Sequence, residues 1–284
     1  MIPVIKNVLI IVNLLKHDAE KTVLEITEYL ERLGIGTIVF GFKGKPALPD
    51  IRDIDLAFSL GGDGTALFSS RILSSRKVPI FAVNIGNFGF ITEISKQEWK
   101  DAFDKYAQGK LGISERLILK GRIIRDGTEI ACFKGLNDAV ISSAGMPKIV
   151  NLFVSLSDTP VGGYRADGVI VSTPTGSTAY SAAAGGPILH PEMEAMILNP
   201  ICPLSLSSRP IVIPGDEVIE VRVEETQRAE IIFTMDGQDV FPLLPNDRIL
   251  FEKAEEKALL IRSDKRTFYE VLRAKLNWSG GSNA

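Results

Sequence analysis

The 284-residue sequence is poor in the residues that build metal sites and covalent scaffolds: it holds two cysteines and two histidines. Cys132 and Cys202 lie far apart with no CxxC, which excludes a disulfide framework and a zinc knuckle. They read as small buried hydrophobes. His17 and His190 supply neither an HExxH nor a His-rich metal site, so acid–base chemistry falls mainly to carboxylates. Charge of one sign is also lacking. The 32 Lys+Arg against 35 Asp+Glu leave a formal net charge of −3. No large field then invites DNA or an acidic membrane, so neither nucleic acid nor membrane is an expected partner. The longest apolar run, Val8–Leu15, is broken by Asn13 and is too short to cross a bilayer. The start, Met1-Ile-Pro-Val-Ile-Lys6, lacks the layout of a signal peptide, and a cytoplasmic protein is expected. A hydrophobic fraction of 45% and a charged fraction of 24% are those of an ordinary globular chain. There is no internal repeat and no low-complexity segment.

The first 95 or so residues alternate strand and helix patterns. Val8–Val12 is a continuous apolar run, as for a strand buried on both faces. Residues 18–33 carry an apolar stripe at helical spacing, Val23, Ile26, Tyr29, Leu30 and Leu33, with Asp18 as N-cap and Gly34 as stop. Strands follow at Gly36–Phe42, Asp55–Leu60 and Pro79–Val83, with a helix from near Gly64 past Ile72. This alternation predicts a parallel sheet with helices on both faces. Another amphipathic helix, 95–108, shows Trp99, Phe103 and Tyr106 on one side. From about 113 to 262 the texture becomes short alternating strands. Asp126-Gly127 and Asp158-Thr-Pro mark hairpins, and strands are expected at 218–223, 230–235, 249–252 and 259–261. A small-residue helix is expected at 177–184 and a last helix at 267–276, before a polar tail.

The sharpest local feature is Leu60-Gly61-Gly62-Asp63-Gly64-Thr65, between an apolar strand and a helix. Glycines there allow positive φ and close approach of another group. N–H groups at the helix start can hold an anion. A carboxylate in such a loop repels phosphate unless it binds Mg²⁺ or takes a proton from an attacking hydroxyl. The plain alternative is a capping Asp. The turn is neither a P-loop nor a GxGxxG. Asn84-Ile-Gly-Asn-Phe-Gly-Phe90 repeats the design after the next strand. Adjacent strand ends of an open parallel sheet form a ligand crevice, so the two turns reinforce each other. Phe90 offers a ring to a base or packs in the core.

The second unusual stretch is Tyr164-Arg165-Ala166-Asp167-Gly168, a β run, and then Thr173-Pro-Thr-Gly-Ser-Thr-Ala-Tyr180. Its hydroxyls suit ribose or phosphate at a helix start, or simply cap that helix. Leu136-Asn137-Asp138 and Thr234-Met-Asp236-Gly237-Gln238 have bland readings as turns.

Taken together, these segments resemble the NAD kinase family, in order and over most of the chain. Gly61–Thr65 is similar to its glycine-aspartate signature, Asn84–Glu93 to its second glycine-rich turn, and Asn137-Asp138 to its Asn-Glu pair. Asp167–Tyr180, continuing through Gly185-Gly186-Pro187, matches its longest motif. Ser208-Arg209-Pro210 and Asp236-Gly237-Gln238 complete the series. The Gly-Asp turn alone is shared with lipid kinases and phosphofructokinases; the Asp167–Pro187 block is far more specific. The resemblance implies transfer of a terminal phosphoryl group to the 2′-hydroxyl of the adenosine ribose of NAD. The implied donor is ATP with Mg²⁺ or another divalent metal, and some members use polyphosphate. It implies an α/β, Rossmann-like N-terminal domain, a mostly antiparallel β-rich domain and a C-terminal helix returning to the first. The expected divisions are 1–98, 99–262 and 263–284. A homodimer or homotetramer is also implied.

Carried over by position, the resemblance makes Asp63 the general base or the Mg²⁺ organiser, assigns no other protein ligand to the metal, and implies the roles that follow. Gly64 lets the backbone approach the dinucleotide, beside Phe90. Asn137 and Asp138 hold the ribose hydroxyls. Lys148 and Arg165 reach the ligand from a neighbouring subunit. Asp167 binds the nicotinamide carboxamide, with Ala179 nearby. Thr175, Thr178, Tyr180 and Ser181 line the pocket, and Gln238 and Asp236 close it. Two positions depart from the family: Asp138 stands where Glu is usual, and Phe68 where many members carry a polar or basic residue. The rivals are another kinase with the same turn, acting on a lipid or sugar, and a non-catalytic NADP(H) sensor.

Overall fold

The computed structural model describes residues 4–44, 53–86, 89–146 and 148–276. Two compact units emerge: residues 1–115 with 258–284, and residues 116–257.

In the first unit the chain runs β1 (Asn7–Asn13), α1 (Ala19–Arg32), β2 (Gly36–Phe42), β3 (Leu56–Gly61), α2 (Asp63–Leu73), β4 (Ile80–Asn84), β5 (Ile94–Ser95) and α3 (Trp99–Ala107). The strands pair in the parallel order β2-β1-β3-β4-β5. Val8–Val12 and Leu56–Phe58 are fully buried, which explains their unbroken apolar runs. Ile26 and Leu30 bury the stripe of α1, whereas Leu33 is exposed. Gly34 ends the helix at φ 75°. Asp18 does not cap it. Its backbone is left-handed (φ 66°), and its carboxylate turns to Lys96 and His17 instead.

The first unit extends past the expected edge at 98. Trp99 and Phe103 of α3 pack their rings on Phe58, and Tyr106 packs edge-on against Phe81, with centroids 5.5–6.1 Å apart. Contacts of this kind add about 0.5–1.5 kcal/mol each beyond area burial. They bind α3 into this core rather than into the β-rich unit.

The second unit contains β6 (Ile113–Arg125, entering from the first), β7 (Thr128–Gly135), β8 (Asp138–Ser143), β9 (Val150–Leu156), β10 (Thr159–Ala166), β11 (Gly168–Ser172), α4 (Tyr180–Ala183), β12 (Ala195–Ile201), β13 (Ile211–Pro214), β14 (Ile219–Val223), β15 (Ile231–Met235), β16 (Asp239–Leu243) and the start of β17 (Arg248–Ile261). One antiparallel sheet has the order β13-β12-β11-β8-β15-β16. Facing it are β10-β9-β14-β17 and the β6–β7 hairpin. Inward residues of both, among them Leu198, Phe233 and Met235 against Val154, Val221 and Phe251, form one sandwich core.

Several local expectations change. The β9–β10 turn is Ser157-Asp158, both at positive φ, because Thr159 already pairs with Leu156. The helix expected at 177–184 is a 3₁₀ turn, Gly176–Thr178, and then the short α4, with Ala179 out of helical geometry between them (φ −101°, ψ −128°). The strands expected at 249–252 and 259–261 are the one long β17. Cys132 and Cys202 are exposed, not buried. From residue 258 the chain belongs again to the first unit, where α5 (Phe268–Leu276) follows Arg266, bound bidentately to Glu98 at 2.8 and 2.9 Å. The polar tail lies outside the described residues.

Candidate active site

In the first unit, β3 and β4 end side by side, with Gly61 opposite Asn84 and the Ile85 N–H on the Gly61 carbonyl at 2.9 Å. Asp63 is the first residue of α2, and its carboxylate is held firmly. Phe90 N–H donates to Oδ2 at 2.8 Å, and Ile91 N–H, Thr92 N–H and the Thr92 hydroxyl donate to Oδ1 at 3.2, 3.1 and 3.0 Å. Three backbone donors and a hydroxyl therefore fix one carboxylate against the turn after β4. Oδ2 accepts one hydrogen bond and keeps acceptor capacity for a reacting hydroxyl or a metal.

The glycines of the turn serve proximity rather than unusual backbone angles: Gly61, Gly62 and Gly64 all lie outside the positive-φ region. A Cβ on Gly61 would strike the Thr65 side chain, whereas nothing stands within 4 Å of one on Gly64. The space over Gly64 is thus open to a ligand. Gly89 is the crowded position, since a Cβ there would fall inside the Asp63 carboxylate. Of the second glycine-rich turn, Asn87 and Phe88 lie outside the described residues. Phe90 is half-buried and contributes its backbone N–H.

In the second unit, a cavity of about 430 Å³ is lined by Asn137, Asp138, Ala179, Tyr180 and Asp236. The Asp236-Gly237 turn, at φ 53° and 62°, aims the Asp236 carboxylate back at the chain before β8. It accepts the N–H groups of Leu136, Asn137 and Asp138 at 2.8–3.2 Å. Asp138 is buried at 6% exposure. Burial first, and the neighbouring Asp236 charge second, push its carboxyl up to about 7, although the Tyr180 N–H favours the ionised form. Asn137 Oδ1 and Thr175 Oγ1 are buried with no hydrogen-bond partner. Such orphaned groups cost about 1–3 kcal/mol each; Asn137 lines the cavity, whereas Thr175 does not.

The structure does not bring every expected residue to this cavity. Thr178 bonds its own turn through the Thr175 carbonyl, and Ser181 is buried under Gly186, bonded to Asn199. Gln238 follows the turn without lining the cavity. Asp167 sits between β10 and β11 with its N–H on the Ile201 carbonyl. Arg165 lies exposed on β10, and Lys148 lines a separate cavity of about 950 Å³. Sequence reasoning missed Thr92, which ties Asp63 to Asn84, and Val140, Ser142 and Thr234, which also line the Asp138 cavity. The signal for Thr92 was a hydroxyl inside the Asn84–Glu93 motif, just before β5; the alternation of β8 and β15 could have placed the other three.

A parallel unit ending in a fixed carboxylate is thus joined in one chain to an antiparallel sandwich with its own polar cavity. The family profile described as the ATP-NAD kinase N-terminal domain matches residues 47–111, and the ATP-NAD kinase C-terminal domain matches residues 136–263. An NAD kinase of Treponema denticola is 42% identical over 279 residues, 98% of each chain. One of Solibacter usitatus is 36% identical, covering 97% of this chain and 99% of its own. The structure of an Archaeoglobus fulgidus NAD kinase in complex with ATP superposes with a TM-score of 0.76 at 26% identity, covering 96% and 99% of the two chains. Yeast NADH kinase complexed with NADH shares the fold, with a TM-score of 0.85 at 22% identity over 98% and 89%. The chain belongs to the NAD kinase family.

Proposed function

We propose that this protein phosphorylates NAD, transferring the terminal phosphoryl group of ATP to the 2′-hydroxyl of the adenosine ribose to give NADP. The observation that carries the reading is the Asp63 carboxylate, immobilised by four donors yet with capacity left on Oδ2, beside the open space over Gly64. Phosphoryl transfer depends on in-line positioning and charge neutralisation more than on covalent catalysis. In this reading Asp63 accepts the proton of the 2′-hydroxyl as it attacks. Asn137 and Asp138 bind ribose hydroxyls. Their fit is supported by the unpartnered Asn137 Oδ1 and by an Asp138 carboxyl able to accept or donate near neutrality. Ala179 and Tyr180 line the same cavity, with Thr175, Thr178 and Ser181 shaping the segment behind them. Asp236 lines it too, Gln238 is assigned to close the site from the end of the same turn, and Phe90 stands beside Asp63. Asp167 is assigned to the nicotinamide carboxamide.

Mg²⁺ keeps several waters and is commonly held by one or two carboxylates plus substrate phosphates. Among the described residues no cluster of three His, Cys, Asp or Glu occurs, and Asp63, with acceptor capacity left on Oδ2, fits as one protein contact. When bound, the metal would neutralise charge on the donor phosphates.

Lys148 and Arg165 are assigned to a neighbouring subunit's ligand in a homo-oligomer; Lys148 lines a cavity other than that of Asp138. A cytoplasmic setting is part of the same proposal. No helix among the described residues is long and apolar enough to cross a membrane.

The test is NADP formation by the purified protein with Mg²⁺ and either ATP or polyphosphate, read by a coupled dehydrogenase. Production of NADP with ATP is the expected result; none with any donor, despite titratable NADP binding, would support a sensor instead.

A further inference from the structure

We propose that Asp236 is a positioning residue of the NAD site: its carboxylate holds the strap Leu136-Asn137-Asp138, between β7 and β8, in the conformation that offers the Asn137 amide and the Asp138 carboxyl to one ribose. This role rests on the NAD kinase reading above and is exerted through Asn137 and Asp138.

Asp236 grips the strap with both side chain and main chain. Oδ2 accepts the Leu136 N–H at 2.9 Å, and Oδ1 accepts the N–H groups of Asn137 and Asp138 at 2.8 and 3.2 Å. Its own N–H donates to the Asp138 carbonyl at 2.8 Å. The two remaining carbonyls are held by the end of β11 and the residue after it. The Thr173 hydroxyl donates to the Leu136 carbonyl at 2.5 Å; the Thr173 N–H and the Ser172 hydroxyl donate to that of Asn137 at 2.8 and 3.2 Å. Every main-chain polar group of the strap is therefore engaged, and its side chains are what it offers a ligand. Asn137 Oδ1 has no partner, and Asn137, Asp138 and Asp236 line the same cavity. The packing is close enough to need glycine. A Cβ on Gly135 would come within 2.8 Å of Asp236 Oδ1, and one on Gly176 would strike the Asn137 carbonyl.

The same carboxylate also acts on charge. Burial raises the Asp138 carboxyl first, and the Asp236 charge raises it further. Among the described residues the other titratable group lining the cavity is the Tyr180 hydroxyl, and no cation lines it. Asp236 therefore does two separable things. It places the strap, which depends on the reach of its side chain, and it delays ionisation of Asp138, which depends only on its charge. An ionised Asp138 is the stronger acceptor for ribose hydroxyls, so NAD affinity should rise as pH passes through about 7.

The probe is NAD, titrated by calorimetry into the full chain across neutral pH, beside steady-state kinetics with NAD and ATP varied separately. Asp236→Asn leaves one acceptor oxygen for three N–H groups and removes the charge. Asp236→Glu keeps the charge on an arm too long for the strap. Both should weaken NAD binding about tenfold, and the loss should appear in KM for NAD rather than in KM for ATP. The pH midpoint of NAD affinity should move to lower pH in Asp236→Asn and stay in place in Asp236→Glu. A merely structural residue would lower the melting temperature of both variants without altering the NAD affinity or the midpoint of the folded protein. Unchanged NAD affinity in either folded variant, or a midpoint that responds alike in the two, overturns the proposal. If only one variant folds, its own affinity and midpoint decide. Should neither fold, Gly135→Ala, whose methyl crowds Oδ1 with the charge kept, is expected to behave as Asp236→Glu and decides by the same readings. If the unaltered protein makes NADP while these results fail, only the role of Asp236 falls. If it makes none with any donor, the NAD kinase reading falls and this role falls with it, even where NAD still binds.

Discussion

Thr92 holds Asp63: its hydroxyl donates to Oδ1 at 3.0 Å while its oxygen takes the Asn84 amide at 2.8 Å and the Gly89 N–H at 3.2 Å. Thr92 is fully buried, so each bond is shielded from water. Thr92→Val keeps the shape and deletes the hydroxyl. It leaves the Asn84 amide and the Gly89 N–H without this acceptor and gives Oδ1 one donor fewer. The expected cost is about 1–3 kcal/mol of stability. A looser Asp63 should lower kcat about tenfold, equivalent to about 1.4 kcal/mol of barrier, with KM for NAD little changed. Thermal melts and steady-state kinetics check both. An unchanged kcat would show that Asp63 does not depend on Thr92 for its alignment.

Two glycines of the same site should respond oppositely to one methyl group. At Gly89 an added Cβ overlaps the Asp63 carboxylate, while at Gly64 it meets nothing within 4 Å. Gly89→Ala should therefore lower both melting temperature and kcat, because the carboxylate and its donors must move apart. Gly64→Ala should melt as the parent does, with KM for NAD raised about tenfold if the dinucleotide approaches that backbone. Equal melting temperatures with equal NAD affinity in Gly64→Ala would show that no ligand fills the open space.

Much of the first unit was legible in the sequence, because its strands are buried on both faces and its helices on one. The runs Val8–Val12 and Leu56–Leu60 and the α1 stripe follow those two periodicities. β12 and β13 were missed: Ala195–Ile201 contains Asn199 and Pro200, which blur a strand signal, and Ile211–Pro214 is a four-residue edge strand. The Asp18 cap failed because a distant lysine, Lys96, drew the carboxylate away, a tertiary effect no local rule contains. Asp63 was legible from its glycines. Its four donors were not, because they come from residues 90–92, whose approach depends on the register of β3 with β4. Likewise Asp236 read as a plain turn residue until the fold aimed it at the N–H groups of 136–138.

Asp138 sets a pH-dependent stability. Its carboxyl is raised from 3.8 to about 7, so the folded chain keeps a proton that the unfolded chain releases between those values. The contribution is fully present below about 3.8 and drains away as pH rises through about 7. Asp138→Asn cannot ionise. Its carbonyl can take the Tyr180 N–H and its amide can face Asp236. The variant should melt about 3 °C or more above the parent at pH 8 and close to it at pH 4. It should also bind NAD more weakly, since a neutral amide replaces a carboxylate against ribose hydroxyls. A melting difference independent of pH would remove Asp138 from the titration.

Asp63→Asn is the decisive substitution for the chemistry, and the structure shows that it is not silent for the fold. An amide has one acceptor oxygen, so either the Phe90 N–H or the pair from Ile91 and Thr92 must face an NH₂ group. Some loss of melting temperature is expected whatever the catalytic role. A base lost from the attacking hydroxyl costs about 10²–10⁴ in rate, far more than a loosened turn, which the Thr92→Val variant reports separately. The measurement is kcat for NADP formation in Asp63→Asn against Thr92→Val at matched folded fraction. A loss in Asp63→Asn at least about tenfold greater than that in Thr92→Val is expected. Equal losses would reduce Asp63 to an anchor for residues 90–92 and move the proton acceptor elsewhere.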